Sequence, residues 1–244
     1  MNPNIHIFET PEDTARAVAE LILVEAKERT KQSLPYNIAL SGGSTPKLLF
    51  TILANEYVHK LQWDFVRLFW VDERCVPPTH PESNFGMTYN SLLSQVSIHD
   101  DNIFRMIGEA DPQKEAARYQ ALLAAQLPAN KGIQQFDLVL LGMGDDGHIA
   151  SIFPDNLGLL DAPKTVAVAE HPTSGQKRIS LTGNVINNAD KVVFLITGAS
   201  KSTVLRQIIK RESGFEKYPA SYIHDQSGAI AFYIDKAAAN KLSE

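Results

Sequence analysis

The sequence predicts an α/β fold in which helices flank a mostly parallel β-sheet. Short apolar runs alternate with amphipathic helical segments along the chain, and several of the runs stop at glycine-rich turns that carry polar side chains. The 244 residues, 44% hydrophobic and 21% charged, can form a sizeable core and have an ordinary globular composition. Because no repeat or long linker divides the chain, we expect a single domain over residues 1–244.

The hydrophobic periodicity predicts the elements in order. Strands are expected at 5–8, 36–41, 66–71, 103–106, 136–141, 165–169, 177–182, 191–197 and 229–233, and helices at 11–30, 46–54, 84–94, 112–127 and 200–211. Thr10 is a suitable N-cap for the first helix. The buried stripe of that helix is expected to comprise Ala15, Val18, Ala19, Ile22 and Leu23. In helix 112–127 the buried face is expected to hold Ala117, Leu122 and Leu123.

The strand at 36–41 leads into Gly42 and Gly43, and a helix follows. Ser44 or Thr45 can serve as the N-cap of this helix, and Pro46 fits its first turn. The free amide groups at the start of a helix, together with its dipole, favour an anion. The segment is therefore a candidate anion site, although an ordinary capped helix after a glycine turn is the alternative.

Charged residues follow two further strands. Asp72, Glu73 and Arg74 come directly after the run at 66–71, where buried charges are costly unless they are paired or bind something. Lys201 lies just past the strand at 191–197, at the start of a helix. Open α/β sheets bind ligands at the carboxyl ends of their strands, and this repeated placement therefore favours a site over randomly scattered surface charges.

The turn after the strand at 136–141 is the most informative segment. Glycines 142, 144 and 147 surround Asp145, Asp146 and His148. Glycine is needed where the backbone takes positive φ or lies against a ligand, so this pattern indicates a site rather than a connector. The alternative is a tight strand-to-helix turn with a capping aspartate and a surface histidine.

Composition excludes several classes of function. The net charge of -5 and the pI near 5.8 argue against a nucleic-acid partner. The apolar runs are too short to cross a bilayer, and the first ten residues do not resemble a secretory signal, so we expect a cytoplasmic protein with no membrane partner. The histidines lack metal-ligand spacing, so no metal is expected.

Two minor features leave alternatives open. Cys75 follows Arg74, which makes a lowered pKa and a nucleophilic role conceivable, although no nearby residue would act as its base. The loops at 75–83 and 170–177 hold prolines, serines and glycines. They could cover a site, or they could be plain surface loops, which is the more frequent case.

Six segments together resemble one known family. They are ALSGGSTP at 39–46, WVDER at 70–74, SNFGM at 83–87, GMGDDGHIAS at 142–151, RISLT at 178–182 and TGASK at 197–201. In this order they are similar to the signature segments of the 6-phosphogluconolactonases, within the glucosamine-6-phosphate isomerase/6-phosphogluconolactonase family. The resemblance implies a three-layer, Rossmann-like fold of the glucosamine-6-phosphate deaminase/ribose-5-phosphate isomerase-like superfamily.

The resemblance favours a lactonase over an aminosugar-phosphate deaminase. Deaminases of this superfamily typically carry Asp-Glu-Tyr where this chain has Asp-Glu-Arg at 72–74, and a Phe-Asn-Glu stretch after the histidine. Here Ser151, Ile152 and Phe153 occupy that stretch, so its proton-transferring glutamate is absent. Ile149 stands where the lactonases often have threonine, and we interpret this difference as a packing variation.

The reaction implied by the resemblance is hydrolysis of 6-phospho-D-glucono-1,5-lactone in the oxidative pentose phosphate pathway. His148 would act as the general base, with Asp146 either orienting it or holding substrate hydroxyls. Amides of the glycine turn could stabilise the oxyanion. Residues expected to bind substrate are Gly43, Ser44, Thr45, Arg74 and Lys201 at the phosphate, with Arg178 as a weaker candidate, and Asn84 at a hydroxyl or as a helix cap. No cofactor is required, and a monomer or weak homo-oligomer is expected.

Overall fold

The computed structural model describes residues 4–223 and 230–243, and His224 and Ala229 of the sequence lie outside this range. The strands are β1 (Asn4–Phe8), β2 (Tyr36–Leu40), β3 (Val66–Trp70), β4 (Asp72–Arg74), β5 (Ile103–Phe104), β6 (Ala129–Asn130), β7 (Ile133–Gln134), β8 (Leu138–Leu141), β9 (Val166–Glu170), β10 (Lys177–Leu181), β11 (Val192–Ile196) and β12 (Ile230–Asp235). The helices are α1 (Pro11–Lys31), α2 (Ser44–Glu56), α3 (Asn84–Ser91), α4 (Pro112–Gln126), α5 (Gly183–Asn187), α6 (Ser202–Lys210) and α7 (Lys236–Ala239). None of the described helices is long and apolar enough to cross a membrane.

Seven strands form the central sheet, in the order β1-β12-β11-β8-β2-β3-β5, and every neighbouring pair is parallel. Side chains alternate between its two faces. In β8, for example, Leu138 and Leu140 pack in a core beneath α1 and α2, whereas Val139 and Leu141 pack in a core with α4, α5 and α6. Helices therefore cover both faces, and the predicted three-layer α/β fold with a mostly parallel sheet is confirmed.

The order of the strands reverses at the middle of this sheet. From β2 the chain proceeds through β3 to β5 on one side, and from β8 it proceeds through β11 to β12 on the other. The loops after β2 and β8 consequently diverge and leave a crevice between them at the carboxyl ends of the strands. Ligands of open α/β sheets bind at such a point.

A second sheet corrects one expectation. Strands β9 and β10 do not join the parallel sheet but pair antiparallel with each other and with β4, in the order β4-β10-β9. Both strands are buried at only part of their length, and they carry charged residues such as Lys177 and Glu170, which a central parallel strand would exclude. The charged triplet 72–74 is likewise a strand itself rather than the loop after one.

The predicted helix details are partly confirmed. The Thr10 side chain accepts a hydrogen bond from the Asp13 amide (3.1 Å), as expected of an N-cap, and the whole predicted stripe of α1 is buried. In α4 the prediction is confirmed for Leu123, which is fully buried, and for Leu122, which packs partly buried against the core, but it was wrong for Ala117, which is exposed. Tyr119 sets the rotation of this helix: its ring is fully buried, and its hydroxyl donates to the Phe104 carbonyl oxygen (3.1 Å).

The third helix is shorter than predicted. It ends at Ser91 instead of residue 94, because Leu92 leaves the helical region at φ -140° and the chain continues as a short 3-10 turn. The side chain that caps its start is Ser83, whose hydroxyl accepts from the Gly86 amide (2.9 Å). Asn84 is already the first helical residue, so the suggestion that it caps this helix was wrong.

Candidate active site

A cleft of about 210 Å³ opens at the crevice between β2 and β8. It brings together residues from the loop after β2, from the charged triplet 72–74, from the glycine turn after β8 and from the helix start at Lys201. Of the predicted site residues, the lining includes Gly43, Ser44, Thr45, Arg74, Asn84, His148, Arg178 and Lys201. Asp146 does not line the cleft but lies behind His148, to which it is hydrogen-bonded.

Asp146 fixes the orientation of the His148 imidazole. Its Oδ1 atom lies 2.6 Å from His148 Nδ1 and also accepts a hydrogen bond from the His148 amide at 3.1 Å. Burial alone would raise the pKa of Asp146, but the hydrogen bond and charge of His148 lower it to about 2. An ionised carboxylate only accepts hydrogen bonds, so the neutral imidazole carries its proton on Nδ1 and leaves Nε2 free to accept one.

The glycines of this turn are required by close packing around the histidine. A Cβ atom on Gly144 would lie 2.1 Å from His148 Nδ1, and Gly147 adopts φ +77°. The amides of both glycines donate within the turn, Gly144 to the His148 carbonyl oxygen (2.9 Å) and Gly147 to that of Gly144 (3.1 Å). Both amides are therefore already satisfied and neither is free to stabilise an oxyanion, whereas the expectation for the other backbone amides of the glycine turn stays a prediction.

The residues after His148 pack the imidazole from behind. Ile149 is fully buried and bridges to Ile152, which agrees with our interpretation of Ile149 as a packing residue. Between them, Ala150 lines the cleft at φ +48°, a conformation that costs a non-glycine residue about 1 kcal/mol or more. The Phe153 ring, also buried, lies 4.9 Å from the His148 ring.

The loop after β2 forms the start of α2 differently from the prediction. Gly43, at φ +107°, is the N-cap residue, and Ser44 and Thr45 are already helical. Glycine reaches this conformation without strain and brings no side chain to bond the first amides of the helix. Thr45 Oγ1 lies 2.8 Å from Thr197 Oγ1, which joins this loop to the one after β11.

Arg74 and Arg178 are direct neighbours across the antiparallel pair of β4 and β10. Arg74 donates to the Glu82 carbonyl oxygen (2.8 Å) and to Asn84 Oδ1, and Arg178 donates to Gln176 Oε1 (3.3 Å). Among the residues that the structure describes, the Nε atoms of both arginines are buried without a hydrogen-bond partner. Burial lowers the pKa of Arg178, and the charge of Arg74 lowers it further, against the opposing effect of Asp72. Two adjacent cations with unused donors form a site suited to an anion.

Two carboxylates that we did not assign to the site support this pair. Asp72 Oδ2 accepts from Ser151 Oγ (2.6 Å), and Asp72 Oδ1 accepts from Asn84 Nδ2 (3.1 Å). Glu73 accepts four hydrogen bonds at 2.8 to 3.0 Å, donated by the amides of Arg74, Asn84 and Phe85 and by the Ser83 hydroxyl. Burial raises the pKa of Glu73, and these hydrogen bonds oppose the rise. The sequence signal that could have identified Asp72 and Glu73 as site residues is the run of three charges at 72–74 directly after a buried strand.

Lys201 and Cys75 lie at the margins of the site. Lys201 follows β11, so the strand order puts it on the opposite side of β2 and β8 from Arg74. Its Nζ atom lies 2.7 Å from Asp145 Oδ1, and the hydrogen bond from Lys201 lowers the pKa of Asp145. Burial raises the pKa of the Cys75 thiol, so the lowered pKa that we considered for it is contradicted.

Comparison with known proteins identifies the family. The family model of glucosamine-6-phosphate isomerases/6-phosphogluconolactonase matches residues 9–232. The chain belongs to this family. The resemblance predicted from the motifs is thereby confirmed, and the motifs at 39–46, 70–74 and 142–151 contribute residues to the cleft.

Several members of the family are close to this chain in sequence. A 6-phosphogluconolactonase of Treponema pallidum is 45% identical over 203 residues, 83% of each chain, and one of Haemophilus influenzae is 39% identical over 94% of this chain and 97% of its own length. The solved structure of 6-phosphogluconolactonase from Trypanosoma brucei superposes with a TM-score of 0.87 at 32% identity, covering 98% of both chains. A monomeric glucosamine-6-phosphate deaminase shares the fold, with a TM-score of 0.81 at 21% identity over 97% of this chain and 99% of its own.

Proposed function

We propose that the protein hydrolyses 6-phospho-D-glucono-1,5-lactone to 6-phospho-D-gluconate. The observation that carries the proposal is the convergence on one cleft of a histidine oriented by a carboxylate and a pair of arginines with unused donors. A lactone with a phosphate at its far end needs both: a base near the carbonyl carbon and cations for the phosphate. The names of the relatives support the same reaction.

His148 is proposed as the general base. Its Nε2 atom would take a proton from water as the water attacks C1 of the lactone, and the imidazolium would return that proton to the ring oxygen when the tetrahedral intermediate collapses. The charged Asp146 would stabilise the imidazolium between these two steps. General-base assistance of this kind contributes roughly 10²- to 10⁴-fold in rate.

The phosphate is proposed to lie between the arginine pair and the start of α2. Gly43, Ser44 and Thr45 would contribute the free amides and hydroxyls of the helix start, and Arg74 and Arg178 would contribute charge. Lys201, on the other side of β2 and β8, is proposed as a further cationic contact with the substrate. The bonds of Asn84 to Arg74 and Asp72 support a role in orienting Arg74.

The site lacks the acid that a deaminase of this superfamily would use. Positions 151–153 hold Ser, Ile and Phe, and all three are buried. Phe153 packs on the His148 ring at a point where the ring opening of an amino sugar would need a carboxylate. The absence of this acid favours the lactonase reaction over deamination. We further propose that this reaction serves the oxidative pentose phosphate pathway and takes place in the cytoplasm.

The test compares two substrates with one enzyme preparation. Freshly generated 6-phosphogluconolactone and its phosphate-free analogue are hydrolysed in parallel, with correction for spontaneous opening, and glucosamine 6-phosphate is assayed for ammonia release. We expect turnover of both lactones, with kcat/KM at least about tenfold higher for the phosphorylated one, since a charged hydrogen bond contributes roughly 1.5 to 3 kcal/mol. Ammonia release, or no turnover of either lactone, would contradict the proposal.

A further inference from the structure

A bridge of three hydrogen bonds connects the two arginines over the rim of the cleft. Arg74 Nη1 donates to the carbonyl oxygen of Glu82 (2.8 Å). The carboxylate of the same residue accepts from Gln176 Nε2 (2.8 Å), and Gln176 Oε1 accepts from Arg178 Nη2 (3.3 Å). The bridge thus joins the loops at 75–83 and 170–177, which the sequence suggested either as covers of a site or as plain surface loops.

The arginine pair needs such a restraint. Arg74 and Arg178 lie opposite each other in the register of β4 and β10, and their like charges repel. Burial lowers the pKa of Arg178, and the charge of Arg74 lowers it further. Side chains directly opposite in an antiparallel pair have Cβ atoms about 5 Å apart, and like charges there destabilise the arrangement. Without an anion, two long flexible cations would move apart and lose the geometry that a phosphate requires.

The chemistry of the bridge fixes which residue type can occupy its centre. A carboxylate such as that of Glu82 only accepts hydrogen bonds, and a guanidinium such as that of Arg178 only donates them. A residue placed between them must therefore donate at one end and accept at the other. The amide of Gln176 does both, and the two neighbours determine which way it faces.

We propose that Glu82 and Gln176 are positioning residues that hold Arg74 and Arg178 in the geometry that selects a phosphorylated substrate. This inference rests on the proposed function, because it assumes that the arginine pair receives the phosphate. Neither residue touches the reacting atoms. Their effect is exerted through the arginines, so it falls on substrate selection and leaves the proton transfers at His148 unchanged.

The experiment measures kcat and KM for both lactones in four variants. Gln176→Ala removes the centre of the bridge, Glu82→Ala removes its anionic end, and the double variant removes both. The fourth, Glu82→Gln with Gln176→Glu, exchanges the two side chains: the new carboxylate accepts from Arg178 and from the new amide, and the net charge is unchanged. Gln113→Ala, at an exposed position of α4, is the matched control.

Gln176→Ala removes two hydrogen bonds of the bridge, one of which restrains Arg178. We expect it to raise KM for the phosphorylated lactone about three- to tenfold, as the loss of that one bond to Arg178 predicts. Its kcat and the KM of the phosphate-free lactone should stay within twofold of wild type. The double alanine variant should have the same KM for the phosphorylated lactone as Gln176→Ala alone, because the two substitutions interrupt the same bridge. The exchange variant should recover KM to within twofold of wild type, which a general loss of stability would not allow.

The possible failures are distinguishable. If the wild-type enzyme prefers the phosphorylated lactone but Gln176→Ala keeps that preference in full, the bridge has no positioning role and the inference is overturned alone. An equal rise of KM for both lactones overturns it as well, since the effect would then not pass through the phosphate. A wild-type enzyme without any preference overturns the assignment of the arginine pair and the inference together.

Discussion

Two cation clusters at opposite ends of the parallel sheet, Arg29 with Lys191 and Arg74 with Arg178, have different kinds of partner. At the amino ends of the strands, Arg29 of α1 is paired with Asp137 and with Asp190 (3.1 Å), and Lys191 is paired with Glu25. At the carboxyl ends, within the described part of the chain, the side chains of Arg74 and Arg178 donate to neutral oxygen atoms, and each keeps a buried Nε without a partner.

The difference shows what each cluster is for. A buried carboxylate such as Asp137 is costly unless it is paired, and Arg29 together with Asn37 compensates it. Adjacent guanidiniums without carboxylate partners stabilise nothing by themselves, so their arrangement implies a ligand that completes it. Substitutions at the amino end should therefore lower stability, whereas those at the carboxyl end should lower activity.

The largest effect is expected at His148. In His148→Ala we expect kcat to fall about 10²- to 10⁴-fold, close to the spontaneous hydrolysis of the lactone, because no base remains to activate water. Product binding, measured by calorimetry with 6-phosphogluconate, should stay measurable, and Tm should change little. Near wild-type turnover in this variant would exclude His148 as the general base. It would also contradict the expectation that substitutions at the carboxyl ends of the strands lower activity.

Arg29→Met tests the amino end. The variant leaves Asp137 buried without its cation, and we expect a loss of about 2 to 3 kcal/mol in the free energy of unfolding, less than for a fully buried pair since Arg29 is partly exposed. Denaturant titration measures the loss, and kcat and KM should remain within twofold of wild type. An unchanged free energy of unfolding, or a loss of activity in a fully folded variant, would contradict the assignment of the amino-end cluster to stability.

Arg74→Met and Arg178→Met make the reciprocal test. Each should raise KM for the phosphorylated lactone about ten- to hundredfold, because a charged hydrogen bond contributes roughly 1.5 to 3 kcal/mol to binding. Removing one of two repelling cations should leave the free energy of unfolding within about 0.5 kcal/mol of wild type. An unaltered KM in both variants would reject the arginine pair as the phosphate site; initial rates over a range of substrate concentrations decide the matter.

The smallest effect concerns acid stability at Asp146. Its folded pKa of about 2 lies below the ordinary value of 3.8, so its ionised form stabilises the fold above about pH 4 and this contribution is lost as the pH falls toward 2. Asp146→Asn should therefore show a shallower fall in the free energy of unfolding between pH 5 and pH 3. Parallel profiles for the two proteins would mean that the bond to His148 does not couple Asp146 to folding.

Most of the fold follows from local patterns in the sequence. Continuous apolar runs identified the central strands, and the N-cap at Thr10 and the stripe of α1 are confirmed because they depend on neighbouring residues alone. The pairing of β4 with β10 was missed because it joins segments about 100 residues apart, which no local period encodes. Ala117 was misjudged because the polar end of the buried Tyr119 determines the rotation of α4.

Prediction of the site succeeded where a motif carried its own geometry. The structure places Asp146 against His148, which is one of the two expected alternatives, because the two residues are only two positions apart in the glycine turn. The pairing of Arg178 with Arg74 and the buried acceptors of Glu73 depend on long-range register and could not be read from spacing. The functional roles of these residues stay predictions.

Gly42 couples the loop after β2 to Arg74 in a further way. A Cβ atom at this position would lie 1.7 Å from Asn84 Oδ1, the same atom that accepts the Arg74 guanidinium. Even an alanine there would push Asn84 aside and release the arginine from its orientation. A side chain at position 42 therefore cannot be introduced without displacing Asn84 and, with it, an acceptor of the Arg74 guanidinium, so any redesign of this loop has to treat residues 42 and 84 together.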